Sequence, residues 1–211
     1  MRNEIMDSII FDVDGTLWDA TEIIARSWNE YIHEKEHMDM EIDPVYLSSL
    51  FGRLLSDIAK HIFPELPEEE QLRIIGGCCK AEEEALLKEC APLYEGLEDT
   101  LKELSCRYPL YIVSNCQAGY IEAFLETSGL GKYFKGHLCP GDTGMEKGKN
   151  IIKICRDYNL KSPVYVGDTI GDYNACQEAG VPFIWAAYGF GDVKTPWKRI
   201  ERPADLLKIC K

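Results

Sequence analysis

Predicted strands and helices alternate along most of this chain, but a long stretch without strands follows the first strand. Residues 8–13 form an apolar run that ends in acids and a glycine, which is typical of a buried parallel strand. Apolar residues then repeat at helical spacing from about residue 20 to residue 92. Further strands are predicted at residues 110–113, 164–166 and 181–186. This order predicts an α/β fold, a Rossmann-like doubly wound parallel sheet with an all-helical cap domain inserted after the first strand.

The predicted domain boundaries follow from the same change in pattern. Residues 1–19 and 92–211 are expected to form the α/β core, and residues 20–91 the cap. Prolines separate the helical patterns of the inserted region. Helices are predicted there at residues 21–35, 45–61 and 68–90, and in the core at residues 97–106, 119–128, 150–158 and 172–179.

Acidic residues follow two of the predicted core strands. Asp12 and Asp14 end the first strand, and Asp168 follows the strand at residues 164–166. The carboxyl ends of parallel strands meet at one edge of a sheet, where ligands bind. Because Asp12 and Asp14 are two residues apart on an extended segment, their side chains point the same way and repel each other unless a cation lies between them. Carboxylates suit Mg²⁺, which usually meets a phosphate, and Gly15 permits a turn that exposes backbone N–H groups to an anion.

The strongly acidic composition excludes several classes of partner. Lys and Arg number 23 against 36 Asp and Glu, for a formal net charge of −13. Such a surface repels phosphate backbones and anionic lipids, so we expect no nucleic-acid or membrane partner. The nine cysteines form no Cys-x-x-Cys pair, and acids interrupt the N-terminal residues where a signal peptide needs an apolar run. We expect free thiols in a cytoplasmic protein that is a monomer or a weak homodimer.

Four segments carry a family resemblance. In order along the chain they are FDVDGTLWD at residues 11–19, VSN at 113–115, EKGKN at 146–150 and GDTIGD at 167–172. Together they resemble the motifs of the haloacid dehalogenase superfamily of phosphohydrolases. Among capped members, the chain looks most like the phosphoglycolate phosphatases. The resemblance implies a Mg²⁺-dependent phosphatase that acts on a small phosphorylated metabolite through an aspartyl-phosphate.

The resemblance also implies roles for the acidic residues. Asp12 would be the nucleophile, and Asp14 would protonate the leaving oxygen and later deprotonate the attacking water. The side chains of Asp12 and Asp168, with the backbone carbonyl of Asp14, would hold Mg²⁺. Asp172 would orient the catalytic lysine or contact the groups that hold Mg²⁺, and Thr169 would lie beside it. Alternatively, Asp172 lies in the first turn of a helix and only favours the helix dipole.

Further residues would bind the phosphoryl group. Ser114 and the Asn115 N–H are implied to bind its oxygens, together with the Gly15 turn. Lys147 and Lys149 both precede an apolar helical run, where free backbone N–H groups favour a phosphate. Lys147 resembles the family's catalytic lysine better because Gly follows it directly, but Lys149 stays open.

The cap is implied to decide the substrate. Arg53 belongs to a Phe-Gly-Arg turn where capped relatives place specificity residues, and Trp18 lies at the hinge of the cap. A charge on a surface helix is an equally good interpretation of Arg53. Which phosphorylated compound is used stays open at this point.

Three alternatives compete with a phosphatase. A sugar-phosphate mutase of the β-phosphoglucomutase type would keep both aspartates and the same kind of cap. A receiver-like phosphoacceptor module would explain an acidic sheet edge and a lysine, but not the helical insert. Residues 33–37 match the His-Glu-x-x-His pattern of zinc proteases, although their surroundings are charged and no third ligand is evident.

Two other short patterns are given structural interpretations. Residues 189–191, Gly-Phe-Gly, are interpreted as an ordinary turn, and the cysteine pair at 78–79 as helix packing.

Overall fold

A six-stranded parallel sheet forms the centre of the protein in the computed structural model, which describes residues 6–210. Along the sheet the strands follow the order β3-β2-β1-β4-β5-β6. Their bounds are β1 Ser8–Phe11, β2 Leu110–Val113, β3 Phe134–Leu138, β4 Pro163–Gly167, β5 Phe183–Ala186 and β6 Lys198–Ile200. The chain crosses from one half of the sheet to the other between β3 and β4, so that β1 and β4 lie side by side at the topological switch point.

Helices lie between the strands in the predicted alternating order. Four of them separate β1 from the rest of the core, namely α1 Thr21–Lys35, α2 Pro44–Ser48, α3 Leu55–Ile62 and α4 Glu68–Leu86. The core helices are α5 Leu97–Ser105, α6 Tyr120–Ser128, α7 Pro140–Thr143, α8 Lys147–Asp157, α9 Ile170–Ala179 and α10 Leu206–Ile209. The doubly wound parallel sheet with a helical insert after its first strand is therefore confirmed. The domain boundaries at residues 19 and 92 stay a prediction.

Side chains of successive strand residues enter two separate cores, one on each face of the sheet. Ile9 and Phe11 of β1 belong to a large cluster that continues into the inserted helices. Ile10 of the same strand belongs to a smaller cluster that includes Ile151 of α8 and Cys176 of α9. All four residues of β1 are buried, as expected of a central parallel strand that is covered on both faces. This burial fixes the position of the loop that follows β1.

Two predicted helices are shorter than their sequence patterns. The pattern at residues 45–61 is divided into α2 and α3, because the chain turns between them at Gly52, whose φ of +82° suits glycine. The pattern at residues 68–90 ends at Leu86. Two strands, β3 and β6, were not predicted. Both are edge strands with exposed residues, so neither shows a continuous apolar run.

The connections between insert and core run side by side. Trp18 pairs with Leu93 in an antiparallel bridge, and the Asp19 N–H donates to the Pro92 carbonyl over 3.0 Å. The segment that leaves the core is thus held against the segment that returns to it. None of the described helices is long and apolar enough to cross a membrane.

Candidate active site

Three buried carboxyl groups meet at the carboxyl ends of β1 and β4. Carboxylate oxygens of Asp12, Asp168 and Asp172 all lie within 4.8 Å of one another, and all three residues are buried. Asp12 directly follows β1, Asp168 directly follows β4, and Asp172 lies in the first turn of α9. Because β1 and β4 are hydrogen-bonded neighbours, two segments more than 150 residues apart in sequence deliver their acids to one place.

Lys147 is the cation at this cluster. Its Nζ donates to Asp12 Oδ1 over 2.8 Å and to Asp172 Oδ1 over 2.5 Å. Lys147 is the first residue of α8 and is only 3% exposed, whereas Lys149 is exposed two positions later. Burial alone would lower the pKa of Lys147, but the charges of Asp12 and Asp172 hold that pKa above its usual value.

Asp172 is held in place by the start of its own helix. Its Oδ2 accepts hydrogen bonds from the Thr169 N–H over 3.0 Å and from the Thr169 hydroxyl over 2.7 Å, while Thr169 Oγ1 accepts from the Asp172 N–H. This reciprocal arrangement is a capping box. The carboxylate is thereby oriented so that its other oxygen meets Lys147.

Asp168 is oriented by residues on both sides of it. Its Oδ2 accepts from the Phe190 N–H over 2.7 Å, and its Oδ1 lies 3.5 Å from the Thr16 hydroxyl. The residues at 189–191, interpreted from sequence as an ordinary turn, therefore support the acidic cluster directly. A Cβ on Gly189 would lie 2.3 Å from the Gly15 carbonyl oxygen and 2.4 Å from the Asp168 Cβ, so the loop approaches too closely for a side chain.

The charges of this cluster favour a bound cation. Burial and the neighbouring Asp172 raise the pKa of Asp12 to about 6, and burial with the charges of Asp172 and Asp12 raises the pKa of Asp168 well above its usual value. Three carboxyl groups thus share one lysine. A hard divalent cation with oxygen ligands would relieve the remaining repulsion, so the residues present fit Mg²⁺.

Asp14 lies beside this cluster and has different partners. One of its oxygens accepts hydrogen bonds from Trp18 Nε1 over 3.0 Å and from the Tyr120 hydroxyl over 2.5 Å. Burial raises the pKa of Asp14 to about 7, against the lowering effect of the Tyr120 hydrogen bond. A carboxyl group that exchanges its proton near neutral pH suits general acid and base chemistry. Trp18, predicted at the cap hinge, is fully buried and positions this carboxyl group.

The loop after β2 brings Ser114 and Asn115 to the same edge of the sheet. Ser114 is buried and hydrogen-bonds Asp12. The Asn115 side-chain amide donates to the Gly52 carbonyl oxygen over 2.9 Å, so it connects the core to the turn between α2 and α3. Gly15 has a φ of +75°, and a Cβ there would lie 2.2 Å from Asp168 Oδ2. Gly15 is therefore needed for both its conformation and its lack of a side chain.

Arg53 lies farther from this group than the other predicted residues. Its side chain is exposed at the rim of a cavity that Asp12 and Asp14 also line, and its Nη1 lies 3.4 Å from His61 Nε2.

Three residues at the site were not predicted from the sequence: Tyr120, Phe190 and Glu82. Of these, Tyr120 and Glu82 line the same cavity as Asp12 and Asp14. None of them lies in a recognisable motif, and Phe190 acts through its backbone.

The two histidines of the zinc-protease pattern, His33 and His37, do not lie in a group of potential metal ligands among the described residues. His33 Nε2 contacts the Met40 carbonyl oxygen at 2.7 Å. Within residues 6–210, two groups of three potential metal ligands approach within 4.8 Å, and neither includes His33 or His37. The carboxyl cluster at Asp12 is one of these two groups.

Comparison with known proteins gives concordant matches. Residues 9–186 match the family model for haloacid dehalogenase-like hydrolases. The chain is 26% identical to a phosphoglycolate phosphatase of Synechococcus elongatus over 216 residues, with 96% of each chain covered. It is 25% identical to the pyrophosphatase PpaX of Bacillus velezensis, with 99% of this chain and 98% of that one covered. A haloacid dehalogenase-like family protein of Streptococcus pneumoniae has the same fold, with a TM-score of 0.83, 20% identity and coverage of 98% and 99%.

Proposed function

Because the chain belongs to the haloacid dehalogenase-like hydrolase family and is a phosphatase, we propose that it hydrolyses small phosphomonoesters with Mg²⁺ through an aspartyl-phosphate on Asp12. The observation that carries this proposal is the contact of the buried Asp12 carboxylate with Lys147, next to Asp168 at the end of the neighbouring strand. The matched relatives named for phosphoglycolate and for pyrophosphate support a small phosphorylated substrate.

Asp12 and Asp14 divide the chemistry between them. Asp12 attacks phosphorus, and the bond between phosphorus and the ester oxygen breaks while Asp14 gives its proton to that oxygen. Water then attacks phosphorus, Asp14 takes up a proton from it, and the bond to Asp12 breaks to release phosphate. The hydrogen bonds from Trp18 and Tyr120 keep Asp14 in position for both transfers.

Lys147 and the metal site neutralise the negative charge of the phosphate group. Asp12 is a poor nucleophile toward a phosphate dianion unless that charge is neutralised. Lys147 supplies one fixed positive charge, and Ser114, the Asn115 N–H and the Gly15 turn supply hydrogen-bond donors for the phosphoryl oxygens. Asp12, Asp168 and the Asp14 carbonyl would hold Mg²⁺, which when bound polarises the phosphoryl oxygens as a Lewis acid.

Removal and return of the metal tests this function. Purified protein should hydrolyse p-nitrophenyl phosphate, lose this activity in EDTA and regain it with Mg²⁺. Full activity in EDTA would remove the metal from the proposal. Phosphate release that requires a sugar bisphosphate as activator would favour the mutase, and a phosphorylated protein without turnover would favour the receiver-like module.

Location and assembly stay predictions. We propose a cytoplasmic enzyme that is a monomer or a weak homodimer and has no nucleic-acid or membrane partner. The formal net charge of −13 supports the absence of polyanionic partners.

A further inference from the structure

A small cavity lies between the inserted helices and the ends of β1 and β2. Its volume is about 40 Å³, and Asp12, Asp14 and Ser114 line its core side. A substrate whose phosphorus faces Asp12 therefore has its leaving group in this cavity, against the inserted helices. The side chains that line this cavity therefore face the leaving group.

Glu82 of α4 is the carboxyl group that the inserted helices contribute to this cavity. It is 3% exposed. Its Oε2 accepts from Trp28 Nε1 and its Oε1 accepts from Gln117 Nε2, each over 2.5 Å. Both donors are uncharged. Within residues 6–210, no Lys, Arg or His nitrogen lies within 4.0 Å of Glu82, so no cation of the protein pairs with this carboxyl group.

Other lining groups also present acceptors rather than cations. Asn115 Oδ1 is buried and has no hydrogen-bond partner in the described part of the chain. Its orientation is fixed because the amide nitrogen of the same side chain donates to Gly52. Arg53 is exposed at the rim, and Lys147 is engaged by Asp12 and Asp172. A ligand that donates hydrogen bonds would suit this cavity.

The electrostatics of Glu82 agree with this geometry. Burial raises the pKa of Glu82 to about 8, and the charges of Asp14 and Glu83 add to the effect, whereas the hydrogen bonds from Gln117 and Trp28 lower it. A cationic group in the cavity would favour the ionised carboxylate. A second carboxylate would instead meet like charge at Glu82, and the one cation that lines the cavity beside it, Arg53, is exposed at the rim.

We propose that Glu82 selects the leaving group, so that this enzyme prefers the phosphate monoester of a small amino alcohol over a monoester whose leaving group carries a carboxylate. The inference rests on the proposed phosphatase activity and narrows its substrate class. A protonated amine is a compact cation with three donors, and Glu82 is the buried carboxyl group that it would meet in this cavity. The identity of the substrate would then differ from the one named for several relatives.

Three small substrates of similar size test the preference on the wild-type enzyme. They are O-phosphoethanolamine, 2-hydroxyethyl phosphate and 2-phosphoglycolate, whose leaving groups are cationic, neutral and anionic. We expect kcat/KM to fall in that order, by about tenfold or more between the first and the last. A tenfold preference for 2-phosphoglycolate would overturn the inference. If none of the three substrates and no p-nitrophenyl phosphate is hydrolysed, the proposed function itself fails.

Glu82→Gln tests the assigned residue. This variant removes the charge but keeps the size, so the ratio of kcat/KM for O-phosphoethanolamine to that for 2-hydroxyethyl phosphate should fall about tenfold. Glu84→Gln, an exposed change on the same helix, is the matched control and should keep the wild-type ratio. An unchanged ratio in Glu82→Gln would contradict the assignment. Should that variant fail to fold, the wild-type order of the three substrates still decides the inference.

Discussion

Lys147 illustrates how much of this site depends on single buried charges. Its ammonium group is almost fully enclosed with two carboxylates, in a place where ions are costly unless they are paired. If one of these three charged side chains is removed, the charges that remain buried are no longer balanced. The ion pair with Lys147 also holds the Asp12 carboxylate in one orientation, which the proposed nucleophilic attack requires.

The two candidate lysines can be separated by substitution. Lys147→Ala should lower the turnover of p-nitrophenyl phosphate about a hundredfold or more, because it removes fixed positive charge from the transition state. Lys149→Ala is the control, since Lys149 is exposed, and should change turnover far less. Steady-state kinetics with Mg²⁺ measures both. Greater damage in the Lys149 variant would show that the catalytic lysine was misassigned.

The loop at Gly189 gives a second test at this scale. Gly189→Ala should lower activity by up to about a hundredfold, because the new Cβ would displace the backbone at Gly15 or the Asp168 side chain. Gly131→Ala is the control, because its Cβ would meet Leu125 at an ordinary 3.6 Å. Activity should be titrated against Mg²⁺, and the Gly189 variant should need more metal. Equal metal requirements in both variants would contradict the support that the loop gives to Asp168.

Sequence could predict the residues of this site that lie in compact motifs. Asp12 and Asp14 follow one strand and Asp168 follows another, so the strand ends predicted that these three lie together, whereas a role for Asp172 came from the family resemblance. Phe190 contributes a backbone N–H, which no side-chain pattern records. Glu82 reaches the cavity from the middle of a helix whose pattern indicates only an amphipathic face.

At the scale of elements, prediction was most accurate where apolar residues form continuous runs. The helix at Thr21–Lys35 and the strand at Leu110–Val113 agree with their sequence patterns. Edge strands fail this criterion because one side of each is unpaired and partly exposed. The turn at Gly52 divides a helical pattern for a tertiary reason, since its carbonyl oxygen accepts from Asn115 and its Cα faces Thr169.

Adjacent glycines in α4 provide a test of helix packing. A Cβ on Gly76 would meet nothing within 4 Å, whereas one on Gly77 would lie 2.0 Å from the Tyr31 hydroxyl oxygen. Gly76→Ala should therefore stabilise the protein by up to about 1 kcal/mol, the helix propensity difference. Gly77→Ala should lose that gain and destabilise, because Tyr31 must move away from Glu36. Urea unfolding of both variants measures the difference, and equal stabilisation would contradict the packing of α1 on α4.

At the scale of the whole molecule, hydrogen bonds and aromatic contacts join the inserted helices to the core around the site. Gln117 donates to Glu82, Asn115 donates to Gly52, and Phe51 packs edge-on against Phe190 with ring centroids 5.5 Å apart. These contacts hold the inserted helices against the core beside the cavity. They also make the stability of the molecule sensitive to the charge of Glu82.

The pH dependence of stability follows from the buried carboxyl group of Glu82. The pKa of Glu82 is about 8 in the folded protein, against an ordinary value of 4.5, so the folded state holds more protons between these two pH values. The contribution of Glu82 to the free energy of unfolding is therefore largest below about pH 4.5, and it is lost as the pH rises toward 8. The free energy of unfolding of wild type relative to Glu82→Gln should fall by a few kcal/mol across this window. Glu84→Gln should show no such trend, and a constant difference between wild type and Glu82→Gln would contradict the raised pKa.

The most direct test of the whole account is phosphate release by wild type, Asp12→Asn and Asp14→Asn in the presence of Mg²⁺. Asp12→Asn removes the attacking carboxylate, so it should release no phosphate from either an alkyl phosphate or p-nitrophenyl phosphate. Asp14→Asn removes the proton donor, at a cost of about a hundred- to ten-thousandfold with the alkyl ester. The same variant should recover part of its activity with p-nitrophenyl phosphate, whose leaving group needs little protonation. Undiminished phosphate release by Asp12→Asn would contradict the mechanism.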